Sequence, residues 1–141
     1  MNAESYIGWA PLRFASEEPN QIETVRILVK SGANINAKDH TGFTALMEAV
    51  RSEDIDTVTF LLQNGADVHV KDHRKNTALI HANMESSRTD ILSMLLQNGA
   101  DVNAKDNTGW TALIWASYKG HTDAAKILVE NGADINAKED D

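Results

Sequence analysis

One octapeptide recurs four times along the chain, about every 33 residues. It reads SGANINAK at 31–38, NGADVHVK at 64–71, NGADVNAK at 98–105 and NGADINAK at 131–138. A fixed period in this range is typical of a repeat array, in which neighbouring units bury each other's apolar faces. The period therefore predicts a stacked solenoid, because no single unit is long enough to make a core of its own.

The second unit, residues 39–71, illustrates what each unit contains. Its first five residues are polar and include a glycine, which favours a tight turn. Thr44 suits the N-cap of a first helix, and residues 46–50 place apolar side chains on one face of it. Apolar residues at the same spacing over 55–62 predict a second helix, which ends at Gly65. Each unit is thus predicted to be a turn followed by two short helices.

The fourth unit carries the clearest family resemblance. DNTGWTALIWASYKGHTDAAKILVENGADINAK at 106–138 resembles the ankyrin pattern D-x-x-G-x-T-P-L-H-x-A-A-x-x-G-H…L-L…G-A-D-V-N-A. The resemblance implies an all-α ankyrin-repeat solenoid of stacked helix-turn-helix units with short β-turn or hairpin loops, in a single domain over 1–141. The TAL tripeptide in place of TPL is similar to ankyrin proteins of bacteria or large viruses. The units are expected at 5–38, 39–71, 72–105 and 106–138, with a short tail at 139–141.

The first and third units depart from the pattern. Pro11 lies at the first helical turn, where it costs no hydrogen bond, and Ala10 replaces the capping threonine. In the third unit Lys75 stands where the turn glycine is expected, which costs about 1 kcal/mol if a positive φ is retained. The link at 84–89 is also one residue longer than in the second unit. We therefore expect the third unit to be the least stable internal one.

Composition limits the classes of partner and compartment. The chain has 21 acidic and 13 basic residues, a formal net charge of −8, and no cysteine. The basic residues are scattered, whereas nucleic-acid binders usually present a basic face, so we expect no nucleic-acid partner. No run approaches the roughly 20 apolar residues that span a bilayer, so we expect no membrane partner. The expected location is the cytoplasm, or a host compartment if the protein is a secreted effector.

No motif indicates catalysis. The phosphate-binding G-x-x-x-x-G-K-[ST], the nucleophile G-x-S-x-G and the zinc motif H-E-x-x-H are all absent from the sequence. His40 and His73 occupy equivalent turn positions in neighbouring units, so stacking places them about 8–10 Å apart. A shared zinc ion needs N–Zn distances of about 2 Å. We expect no enzymatic activity, no cofactor and no metal.

Large side chains at positions outside the repeat's core predict a binding surface. The ankyrin resemblance implies that the residue after the turn glycine lies on the inner rim, where partners commonly bind. Aromatic rings occupy that position in three units, although each ring could instead pack on its neighbours. Aromatic residues and Arg are enriched among interface hot spots. The predicted protein-binding residues are Trp9, His40, Phe43, Arg51, His73, Arg74, Met84, Trp110, Tyr118 and Lys119.

Two interpretations of function follow. The first is a non-catalytic interaction module, a monomer that binds a protein partner along its concave groove and turn rim. The alternative is a scaffold or a fragment of a longer ankyrin array, natural or engineered, with no specific ligand of its own. The family resemblance also implies that Asn103 and Asn136 are candidates for asparagine hydroxylation in animal cells, because both follow the pattern L-x-x-x-x-x-D-[VI]-N.

Overall fold

A computed structural model describes residues 11–140, which form eight helices and no strand. The helices come in four pairs along the chain, and this confirms the predicted all-α solenoid. We call the pairs units 1 to 4, and units 2, 3 and 4 include the turn that precedes each pair. They are α1 (Pro11–Ala15) with α2 (Ile22–Lys30), α3 (Ala45–Arg51) with α4 (Ile55–Gln63), α5 (Ala78–Met84) with α6 (Thr89–Gln97), and α7 (Ala112–Lys119) with α8 (Thr122–Glu130).

Threonine caps begin the first helix of units 2, 3 and 4. The side-chain oxygens of Thr44, Thr77 and Thr111 each accept a hydrogen bond at 3.3 Å from the backbone N–H three residues on. Helices of seven or eight residues are too short to be stable alone, so a cap and tertiary packing must hold them. The N-cap predicted at Thr44 is confirmed.

The turns require positive φ at one position in each of units 2, 3 and 4. Gly42 and Gly109 have φ of 81° and 82°, and Lys75 adopts the same conformation with φ of 61°. The strained turn expected in unit 3 is therefore present. Glu53 also has a positive φ, 58°, at the link where unit 4 places Gly120. Two long side chains thus occupy backbone positions that favour glycine.

The core runs along the stack instead of filling one central volume. First helices pack on first helices from α1 to α7, and second helices pack on second helices from α2 to α8. In unit 3, Leu79, Ile80 and Leu95 are fully buried between their neighbours. Adjacent turns are also joined, since His73 N donates to Thr41 O at 2.9 Å. The interior units are therefore held from both sides.

Candidate functional site

A groove runs along the turns and first helices of units 2 and 3. It encloses about 550 Å³. Its rim consists of the two turns, and its wall consists of the ends of α3 and α5. We call it the central groove, and it is lined by Arg13, Asp39, His40, Thr41, Phe43, Arg51, Asp72, His73, Arg74, Asn76, His81, Met84 and Glu85.

Buried ion pairs hold the floor of the central groove. Arg13 Nη2 lies 3.1 Å from Glu48 Oε2, and Arg13 Nε lies 3.3 Å from Asp39 Oδ2. Arg51 Nη2 approaches Glu48 Oε1 to 2.7 Å from the same helix. Burial raises the pKa of Glu48 above its usual value, although Arg13 and Arg51 offset part of that effect. A side chain of unit 1 thereby fixes two carboxyl groups of unit 2.

One aspartate organises each turn along the rim. The Oδ1 atoms of Asp39, Asp72 and Asp106 accept the backbone N–H groups two and four residues on, at 2.8–3.0 Å. Burial alone would raise the pKa of each carboxyl. The hydrogen bonds that each one accepts outweigh burial and leave its pKa below the usual value. These carboxylates accept hydrogen bonds from the backbone of their own turns, so they stabilise the turns.

Phe43 and His81 form a contact between the turn of unit 2 and helix α5 of unit 3. His81 Nε2 lies 2.8 Å from Asp72 Oδ2 and must donate, because a carboxylate can only accept. The Phe43 ring meets the His81 ring edge-on with 4.9 Å between centroids. The Arg51 guanidinium lies 5.6 Å from the Phe43 centroid. Phe43 is therefore half-buried and held in place, with one side left toward the groove.

Two polar side chains reach outward from the rim. His73 and Arg74 are exposed at the tip of the unit 3 turn. Among residues 11–140, Arg74 makes no ion pair within 4.0 Å. The turn carboxylates accept hydrogen bonds from their own turns, whereas Arg74 and the carboxylate of Glu85 are exposed, so the groove offers both donors and an acceptor to a bound chain.

A second concavity, of about 790 Å³, lies on the far side of unit 4. Trp110 packs there on Trp115 and Tyr118, with centroids 4.6 Å and 5.4 Å away, and its Nε1 donates to Glu139 Oε2 at 2.9 Å. Trp115 Nε1 in turn donates to Asp106 Oδ2 at 3.0 Å. We call this concavity the terminal pocket, and it is lined by Trp110, Leu113, Ile114, Ser117, Tyr118, Val129, Asp134, Ile135, Ala137, Lys138 and Glu139.

The predicted binding residues thus divide between two places. Lys119 is exposed at the end of α7, outside both concavities, and Trp9 lies outside the described residues. Trp110 and Tyr118 line the terminal pocket. The predicted residues that line the central groove are His40, Phe43, Arg51, His73, Arg74 and Met84.

Sequence reasoning did not single out Arg13 in the groove or Ile114, Val129 and Ile135 in the terminal pocket. Arg13 occupies a repeat position that is aliphatic in the other units. The arginine at an otherwise apolar position could have predicted a buried ion pair, since an arginine in the core needs a carboxylate nearby. Ile114, Val129 and Ile135 could have been found by listing the apolar positions of unit 4 that, in units 1 to 3, pack against the next unit.

Asn103 joins unit 3 to unit 4. Its Nδ2 donates to Gly132 O at 3.3 Å and its Oδ1 accepts from Asp134 N at 2.8 Å. Asn36 repeats both contacts between units 1 and 2, with Gly65 O and Asp67 N. Asparagine at this position has a structural role, and hydroxylation of Asn103 or Asn136 stays a prediction.

Two further features concern the described part of the chain. No helix within residues 11–140 combines the length and the apolar character that crossing a membrane requires. In the same residues, no three or more His, Asp or Glu side chains are grouped so that they could hold a metal ion.

Comparison with known proteins agrees with the helix pairs and their turns. The chain matches the family model for ankyrin repeats (3 copies) over residues 1–72 and 46–139. The chain belongs to the ankyrin-repeat family. A curated relative, ankyrin repeat and SOCS box protein 6 of Mus musculus, is 44% identical over 45 residues. These residues are 32% of this chain and 11% of the relative, so the ankyrin chain matches only a small part of that protein. Ankyrin repeats are generally protein–protein interaction modules and generally non-catalytic.

Proposed function

We propose that this ankyrin chain is a non-catalytic module that binds a protein partner in the central groove and along the turn rim. The binding needs no cofactor, no nucleic acid and no membrane. It takes place inside a cell, in the cytoplasm or in a host compartment. Binding through this groove requires no second copy of the chain.

The observation that carries the proposal is the outward orientation of groove side chains above a fixed floor. Arg74 projects from the rim without an ion pair among the described residues, and Met84 lies half-buried in the groove. Phe43 is held by its contacts with His81 and Arg51. A rigid site loses little conformational entropy on binding, which favours affinity.

The alternative function is a scaffold or a piece of a longer array without a ligand of its own. The observation that favours it is the terminal pocket, where apolar residues occupy positions that a following unit covers elsewhere in the stack. On that alternative, the groove side chains contribute only to stability and solubility.

Comparative capture separates the two functions. The chain would be immobilised, exposed to an extract of its source cells, and the retained proteins quantified by mass spectrometry. Arg74→Glu changes the groove rim, and Lys126→Glu makes the same charge change on α8, away from the groove. We expect at least one protein to be retained by the wild type and by Lys126→Glu and to be reduced at least about tenfold by Arg74→Glu.

A direct titration of that protein with Met84→Ala provides the second measurement. Weaker binding at unchanged thermal stability supports the central groove. Proteins retained equally by all variants would place binding elsewhere, and no specific retention at all would favour the scaffold.

A further inference from the structure

The exposed large apolar side chains lie at the two ends of the stack. Within residues 11–140 they are Phe14 (43% exposed) and Ile27 (64%) in unit 1, and Tyr118 (71%), Val129 (42%) and Ile135 (74%) in unit 4. The described residues of units 2 and 3 contribute none. Exposed apolar patches on soluble proteins mark interaction surfaces. The two ends of the stack are therefore candidate interaction surfaces.

Two aliphatic side chains of unit 4 are more exposed than equivalent side chains of an interior unit. Ile114 lines the terminal pocket, whereas the equivalent Ile80 of unit 3 is 0% exposed beneath unit 4. Likewise Ile135 is 74% exposed, whereas the equivalent Val68 of unit 2 is 5% exposed. Unit 4 therefore keeps aliphatic side chains on the face that the other units stack upon.

Unit 1 shows the same relation on its opposite face. Ile27 is 64% exposed, whereas the equivalent Phe60 of unit 2 is 8% exposed. Phe60 is covered by the preceding unit, because the Arg26 guanidinium lies 4.9 Å from its ring centroid. Thr24 is exposed, and its equivalent Thr57 is buried. Unit 1 therefore presents the face that units 2 to 4 use to contact the unit before them.

The chemistry of the two ends is complementary. In the interior, the Phe43 ring of unit 2 contacts the His81 ring of unit 3 at 4.9 Å between centroids. Trp110 is the equivalent of Phe43 in unit 4, and Phe14 is the equivalent of His81 in unit 1. If unit 1 of another copy stacked on unit 4 as unit 3 stacks on unit 2, Trp110 would contact Phe14 of that copy. An aromatic pair would then replace the interior contact.

We propose that the terminal pocket of unit 4 receives unit 1 of a second copy, head to tail, with the geometry of the interior unit-to-unit contact. The interface continues one that the stack already uses three times. This proposal revises the monomer expected from the sequence. A head-to-tail contact leaves a free face at each end of the dimer, so longer linear oligomers form as concentration rises.

The C-terminal tail competes with the second copy and keeps the association weak. Asp140 N donates to Thr108 O at 3.0 Å, as Asn107 N does to Arg74 O one unit earlier at 2.8 Å. The tail thus follows the path on which a further turn would begin. Because Asp140 occupies the backbone position that Asn107 holds one unit earlier, the tail must yield before a second copy stacks fully. Removing residues 139–141 should strengthen the association at least about tenfold.

Sedimentation velocity over a concentration series, at about 0.15 M salt to screen the net charge, tests the proposal. Ile27→Glu blocks the unit 1 face and Ile135→Glu blocks the unit 4 face. Both side chains are well exposed, so the variants should keep the wild-type circular dichroism. Gln97→Glu on the exposed side of α6 is the matched control for added charge.

The wild type and Gln97→Glu should associate as concentration rises, and each end variant alone should sediment as a monomer. An equimolar mixture of Ile27→Glu and Ile135→Glu should form a dimer and nothing larger, because each supplies the one intact face that the other lacks. The proposal is overturned if the chain without residues 139–141 stays monomeric throughout, or if the mixture yields no dimer. Loss of association in Gln97→Glu equal to that in the end variants would also overturn it.

Discussion

Lys75 holds a backbone conformation that its side chain disfavours. Its φ is 61°, at the turn position where units 2 and 4 place Gly42 and Gly109. We expect Lys75→Gly to raise the free energy of unfolding by up to about 1 kcal/mol, because the left-handed penalty exceeds the extra entropy that glycine loses on folding. Denaturant unfolding measures the change. Lys71→Gly, an exposed position without positive φ, should be destabilising, and equal loss in both variants would contradict the argument.

The turn aspartates connect stability to pH. The pKa of Asp106 is below its usual value in the folded protein, since the hydrogen bonds it accepts outweigh its burial. A carboxyl with a lowered folded pKa stabilises the fold above its unfolded pKa, about 4, and loses that contribution as pH falls further. We therefore expect Asp106→Asn to be less stable than the wild type near pH 7, with the difference shrinking below about pH 4.

Urea unfolding at several pH values between about 3 and 7 measures this dependence. Asp123→Asn is the control, since that side chain is exposed on α8 and has no turn to organise. A difference between Asp106→Asn and the wild type that stays constant across the range would contradict the assigned role.

At the scale of elements, Arg13 joins α1 to α3 through charge. It lies 3.1 Å from Glu48 Oε2, and the Glu48 side chain is almost completely buried. Removing one partner of a buried pair costs about 3–5 kcal/mol. Because Arg51 still reaches Glu48 at 2.7 Å, we expect Arg13→Met to fall at the lower end of that range. Adding Glu48→Gln should recover part of the loss, since it removes the buried Glu48 charge but leaves Asp39, the other buried carboxylate that Arg13 pairs with. Thermal unfolding of both variants measures this.

If Glu48→Gln does not recover stability in Arg13→Met, the stabilising effect of Arg13 has a source other than its pair with Glu48. The contribution of Arg13 then comes from packing or from its pair with Asp39. The double-mutant cycle separates the two contributions because the side chains are in direct contact.

Unit 3 combines a buried core with weak connections. Leu79, Ile80 and Leu95 are fully buried, but the turn before α5 carries the strained Lys75. We expect backbone amides of α5 and α6 to exchange hydrogen faster than those of α3 and α4, because local opening begins where connections are weakest. Exchange measured by mass spectrometry checks this. Equal protection in the two units, or slower exchange in unit 3, would contradict it.

The repeat register predicted most of the helices but few of the contacts between them. Thr44 as an N-cap and the positive φ at Lys75 depend on local sequence alone, so both were predictable. Two side-chain contacts were not predicted. The Arg13–Glu48 pair depends on how unit 1 stacks on unit 2, and the Trp115–Asp106 hydrogen bond depends on how α7 packs against the turn that precedes it. The positive φ of Glu53 was not predicted, although the repeat register places Glu53 at the position of Gly120, the same kind of signal that identified Lys75.

At the scale of the whole molecule, the stack has two kinds of surface. The central groove runs along the units and the end faces lie across them, so the two surfaces bind through different residues. A protein bound in the groove leaves the faces of units 1 and 4 accessible. Groove variants such as Arg74→Glu should therefore leave self-association unchanged, which allows the two proposals to be tested independently.

Trp110 lies in the terminal pocket, at the unit 4 position equivalent to Phe43 of the central groove, and it tests how far along the stack a groove partner extends. Its ring packs on Trp115 and Tyr118 and its Nε1 bonds to Glu139, so Trp110→Ala should cost stability, about 0.5–1.5 kcal/mol for each aromatic pair that the substitution removes. If the partner reaches unit 4, binding should also weaken at least tenfold, about 1.4 kcal/mol, at temperatures where the variant remains folded. Trp110→Phe is the control, because it keeps an aromatic ring in place while removing the bond to Glu139. Calorimetric titration of both variants, beside thermal unfolding, measures the two effects separately. Reduced melting temperature with unchanged affinity in Trp110→Ala would confine the partner to units 2 and 3.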